Sequence, residues 1–109
     1  MTFPAPLAVS VEIRNLARDQ HIQRVWRLSS AIGVDGLSLE RNTPFCSGTR
    51  VVIELRLPDQ QQPVSVVGTI REAECDESTE RPAVVEFGEL DAEARALIIG
   101  YIEERTAVR

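Results

Sequence analysis

Apolar side chains alternate with polar ones in six short runs of this chain, and the period lengthens only near the C-terminus. That switch limits the fold more than any single motif. Val9, Val11 and Ile13 interleave with Ser10, Glu12 and Arg14, the pattern of a strand with one buried face. A second run spans His21 to Ile32. In it Trp26, Leu28, Ser30 and Ile32 share the face expected to point inward, and Val25, Arg27 and Ser29 share the other. Leu37 and Leu39 make a third run, and Val51, Ile53, Leu55 and Leu57 a fourth. Val64, Val66, Gly68 and Ile70 make a fifth, with Gly68 marking a bend or a close approach, and Pro82 to Phe87 a sixth. Leu90, Ala94, Leu97, Ile98, Tyr101 and Ile102 then recur at helical spacing. Asp91 is placed to cap that helix and Arg105 to face its negative end. Gly100 reads as a point where the helix lies close against the sheet.

These elements predict a mainly β (α+β) domain. It is a six-stranded antiparallel barrel over about 8–88 with a C-terminal helix over about 91–105. All 109 residues form one domain. Between the second and third strands, Gly33-Val34-Asp35-Gly36 lets the chain turn a corner, a place where a small barrel often keeps a binding site. Phe3-Pro4-Ala5-Pro6 reads as an extended lead-in, because proline blocks helix and removes a donor.

Charge narrows the function. The net charge is −5, which argues against nucleic acid and against an anionic membrane surface. No run approaches the ~18 apolar residues of a membrane span. The N-terminus has no basic segment followed by an apolar run, so the expected setting is the reducing cytoplasm, with Cys46 and Cys75 as free thiols and Cys46 a partly buried filler. The single histidine, His21, reads as a surface residue. With no Cys/His cluster, neither a metal site nor a cofactor is expected. No nucleophile–base pair can be identified, so the chain is not expected to be an enzyme. The stretch from Glu72 to Arg81 reads as a solvated acidic loop, and Trp26 as core.

The order of elements resembles the PilZ domain family, bacterial six-stranded barrels with a C-terminal helix. The resemblance is carried by Gly36-Leu37-Ser38-Leu39, by Phe45 through Leu55, by Leu57-Pro58, by Val64 to Ile70, by Val84 to Phe87, and by Leu90 into Tyr101-Ile102. It covers almost the whole chain. The family implies binding of cyclic di-GMP through Arg-x-x-x-Arg before the first strand and Asp/Asn-x-Ser-x-x-Gly on the turn after the second. Here Gly36 matches the last glycine of the turn motif. Ala31 stands where Asp or Asn belongs, Gly33 stands where Ser belongs, and Asp35 lies between the glycines. The segment from Met1 to Ala8 holds no arginine. Each charge-assisted hydrogen bond contributes roughly 1.5–3 kcal/mol. Two missing arginines therefore remove about 3–6 kcal/mol, on the order of 10²–10⁴ in affinity.

The resemblance thus implies a non-enzymatic signalling or adaptor domain. It would act by protein–protein interaction on a bacterial signalling or motility protein, without binding cyclic di-GMP in the usual way. The alternative is a receptor for cyclic di-GMP, or another nucleotide, that uses a non-standard arginine set drawn from Arg14, Arg18, Arg24 and Arg27. A homodimer stays open.

Overall fold

One strand does most of the joining. The computed structural model describes residues 3–16, 24–41, 43–58, 60–71 and 83–106. Its strands are β1 (Ala5–Pro6), β2 (Ser10–Asn15), β3 (Arg24–Gly33), β4 (Gly36–Leu39), β5 (Arg50–Leu55), β6 (Val64–Arg71) and β7 (Val84–Phe87), followed by helix α1 (Ala92–Thr106). The sheet order is β1-β3-β2-β5-β6-β7-β4, and a further β3–β4 pairing closes six of these strands into a ring. All pairings are antiparallel. The expected six-stranded barrel is therefore present, with a short extra strand, β1, laid beside β3.

Alternation in the sequence becomes inside and outside of the barrel. Val51, Ile53 and Leu55 on β5 and Val64, Val66 and Ile70 on β6 are buried, while Ser65 and Val67 face out. They meet Val11, Ile13, Leu37, Leu39, Val85 and Phe87 in a single core. Helix α1 adds Ala94, Ile98 and Tyr101 to it. Asp91 caps the helix, its Oδ1 accepting the Ala94 N–H at 2.7 Å, and the Arg105 guanidinium lies 5.1 Å from the Tyr101 ring centroid.

The second strand departs from its expected facing. The β3–β4 register shifts between Ser29 and Ala31, a bulge that changes which parity points inward. Ile32 stays fully buried, but Trp26 is 57% exposed and Leu28 43%. On that half of the strand Val25 packs against the core and Ser29 is buried. Trp26 is therefore a surface residue, not core, because two-residue periodicity holds only within an uninterrupted strand.

The cysteine reading also changes. Cys46 is exposed and disulfide-bonded, neither a free thiol nor a buried filler. Cys75 lies outside the described residues, as do Arg18, His21 and the acidic stretch 72–81. Sequence spacing gives no hint of a bridge. The fold does, because the Gly48 N–H donates to the Ile70 carbonyl at 2.7 Å and the Ile70 N–H to the Thr49 carbonyl at 2.9 Å. The turn carrying Cys46 thus sits against the end of β6, a few residues before Cys75 in the chain.

Two glycines have opposite environments. At Gly68 an added Cβ would lie 2.8 Å from the Glu86 carbonyl oxygen and 2.8 Å from Val85 Cγ1, so β7 can approach β6 only because that side chain is missing. At Gly100 an added Cβ meets nothing within 4 Å. Contrary to expectation, Gly100 does not serve close packing of the helix on the barrel. Gly100→Ala should therefore raise stability by about 0.5–1 kcal/mol, since helical glycine carries that penalty. Gly68→Ala should lower it by about 1–3 kcal/mol through overpacking. Urea unfolding of both variants checks the pair of opposite signs.

Candidate functional site

The corner after β3 is a tight hairpin. Gly33 and Gly36 pair across it, leaving only Val34 and Asp35 to make the turn, both exposed. The Asp35 carbonyl accepts the Phe87 N–H at 2.7 Å, tying the turn to β7. Ala31 lies between Pro6 of β1 and Ser38 of β4. Beside it the Ser30 and Ser38 hydroxyls share a 2.6 Å hydrogen bond. Around Ala31 and Gly33 there is thus methyl, bare backbone and hydroxyl, and the one charge between the two glycines is the exposed carboxylate of Asp35, an anion.

The chain ahead of the barrel is fixed alongside this corner. Ala5 and Pro6 pair with Ile32 and Ala31, a proline position that an edge strand tolerates. Ala5 and Leu7 are buried. The Leu7 N–H donates to the Ser30 carbonyl at 3.1 Å and the Ser29 N–H to the Val9 carbonyl at 2.9 Å. The buried Ser29 hydroxyl lies 2.8 Å from the Leu7 carbonyl and 2.9 Å from the Val9 carbonyl, and accepts the Val9 N–H at 3.1 Å. From the helix, the Tyr101 hydroxyl donates to the Pro6 carbonyl at 2.6 Å. The lead-in is therefore a strand held from both sides.

The arginines stand elsewhere. Arg14 and Arg24 are cross-strand partners, and the Arg24 guanidinium reaches the Glu12 carboxylate at 3.8 Å. Arg27 donates to the Trp26 carbonyl at 2.9 Å. Along β3, Arg24 is nine residues from Gly33, about 30 Å at the strand rise, and Arg27 six residues, about 20 Å. By this spacing Arg24, with Arg14 beside it, stands well away from Gly33, Asp35 and Gly36, while Arg27 is four residues from Ala31, about 13 Å along the strand. Sequence reasoning passed over Arg71. It lies on β6 opposite Val84, which in turn lies opposite Ser38, so cross-strand register carries it toward the corner. Its guanidinium is 3.4 Å from the Glu86 carboxylate. Both groups are about half exposed, so their attraction is worth at most about 1 kcal/mol. Only closure of the barrel makes this proximity visible, since Arg71 and Ser38 are far apart in sequence.

Among the described residues no cluster of three or more His, Cys, Asp or Glu could hold a metal ion. No described helix is long and apolar enough to cross a membrane.

Comparison with known proteins agrees with the architecture. The family model described as the PilZ domain matches residues 3–104. A solved structure with a similar fold is the Bacillus subtilis inhibitor of motility, MotI/DgrA. It aligns with a TM-score of 0.67 and 19% identity over 90% of this chain and 46% of that one. This chain therefore spans less than half of that neighbour's length. No curated protein matches.

Ser29 is the residue whose loss should release the lead-in. Ser29→Ala leaves the Leu7 carbonyl and the Val9 N–H without the hydroxyl, while the Val9 carbonyl keeps the Ser29 N–H, which should lower stability by about 1–3 kcal/mol. Hydrogen exchange at the Leu7 and Val9 amides should accelerate more than at Ile53 or Val66. Equal acceleration throughout would show that Ser29 supports the whole barrel and not this segment in particular.

Proposed function

The chain belongs to the PilZ domain family, and from that footing we propose that it is a non-enzymatic adaptor that works through protein contacts and does not bind cyclic di-GMP in the family's usual way. One observation carries the reading. The segment that would supply the ligand's arginines holds none, and it is built into the sheet as β1, tied down by Ser29 and Tyr101. A segment that wraps a dinucleotide needs cations and needs to be free to close over it. This one has apolar residues buried in the core and its backbone groups already partnered.

The corner agrees with this. Two phosphates call for guanidinium forks, and Ala31, Gly33 and Gly36 offer none. Arg24 begins β3, Arg14 lies beside it on β2, and Arg27 lies mid-strand, so no more than one of the three is near the corner and the geometry gives a set of them no support. Motility is the setting we infer, on the precedent of family membership and of the neighbour described as an inhibitor of motility.

Isothermal titration of the purified chain with cyclic di-GMP tests the reading. The expected outcome is no saturable heat up to about 0.1 mM ligand. Saturable binding with a micromolar Kd would overturn it. Loss of that heat in Arg24→Ala and Arg27→Ala would then assign the ligand to the alternative arginine set.

A further inference from the structure

Between α1 and the turn joining β5 to β6 runs a groove open to solvent. It consists of two adjoining hollows of about 670 and 250 Å3 that share Gln60 and Leu97. On a helix of 3.6 residues per turn, Glu93, Leu97, Gly100 and Glu104 fall on one stripe. All four line the groove, with Ala94 and Tyr101 at its inner edge, whereas the helix turns Ile98 into the core. The stripe has a carboxylate at each end and an apolar middle. Its two glutamates are eleven residues apart, about 16 Å along the axis. Asp91 adds a third carboxylate, and among the described residues none lining either hollow is basic.

Gly100 supplies an independent observation. Among the described residues nothing occupies the space in front of it, so the chain carries the helical cost of glycine with no packing of its own to account for it. The bare backbone leaves the groove floor flat where a second helix axis could approach to about 8–10 Å.

We propose that this groove docks a basic amphipathic helix from a partner protein. The partner's apolar stripe lies over Leu97 and Gly100, and a lysine or arginine near each end of that stripe faces Glu93 and Glu104. The inference rests on the adaptor reading and names the surface and partner chemistry for it. A second copy of α1 does not fit, because its stripe carries the same acidic ends and would set like charges together. A small molecule does not fit either, because ligand pockets enclose most of their occupant and this trough is open along its length.

The test places the photo-crosslinker p-benzoylphenylalanine in the full chain, at Gln61 on the groove rim or at Trp26 on the rival exposed face of β3. After irradiation in the native cells, the captured peptide is sequenced. The expected result is capture through position 61 of a helical segment with cations bracketing an apolar stripe. Gly100→Leu should reduce that capture about tenfold, and Glu93→Gln with Glu104→Gln about three- to tenfold. Thermal melts should show Gly100→Leu and Gly100→Ala at or above the parent's Tm, so that lost capture is not lost folding. A captured segment without cations, or capture indifferent to Gly100→Leu, overturns the groove assignment. Capture only through position 26 also overturns it while leaving the adaptor reading standing. Capture through neither position likewise overturns the groove assignment, and leaves the adaptor reading to the titration with cyclic di-GMP.

Discussion

Strand β3 must satisfy three neighbours at once, and the rest of the molecule depends on how it does so. Its first half pairs with β2, and its second half lies between β1 and β4. A strand with a fixed two-residue period cannot face the core correctly along both halves and still close the ring. The bulge between Ser29 and Ala31 resolves the conflict. It buries Ile32, turns Trp26 and Leu28 outward, and brings the Ser29 hydroxyl to the carbonyls of Leu7 and Val9. A buried hydroxyl satisfied in this way holds the lead-in. The same hydroxyl left unpaired would destabilise it.

Holding the lead-in changes what the barrel can recognise. Where a receptor would need a cationic arm free to close over an anion, this chain has a strand packed by Ala5 and Leu7 and capped by Tyr101. The motif positions of that corner supply no cation, and the arginine that register carries toward it, Arg71, is 3.4 Å from the Glu86 carboxylate. This weakens, on the proposed reading, the interactions that make a doubly charged ligand worth desolvating. On the adaptor reading proposed above, the shell would present surfaces to other proteins. Two surfaces differ in chemistry: the Trp26–Leu28 stripe on β3 is aromatic and aliphatic, whereas the α1 groove sets Leu97 and Gly100 among glutamines and carboxylates.

The contrast between Gly68 and Gly100 shows how one residue type acts at two levels. Gly68 serves the fold, because β7 occupies the space its side chain would take. Gly100 has no such neighbour among the described residues. Sequence context does not separate them, since both sit inside regular elements, and what decides is whether another element passes over the Cβ position.

Strand and helix periods, Asp91 as a helix cap and the missing arginines ahead of the barrel were all legible in the linear chain, because each depends on neighbours a few residues away. The emptied turn motif at Ala31 and Gly33 was legible for the same reason. The exposure of Trp26, the bridge at Cys46, the approach of Arg71 toward Ser38 and the pairing of Ala5-Pro6 as a strand were not. Each depends on where barrel closure and one bulge bring together segments that are distant along the chain, and local periodicity carries no record of that.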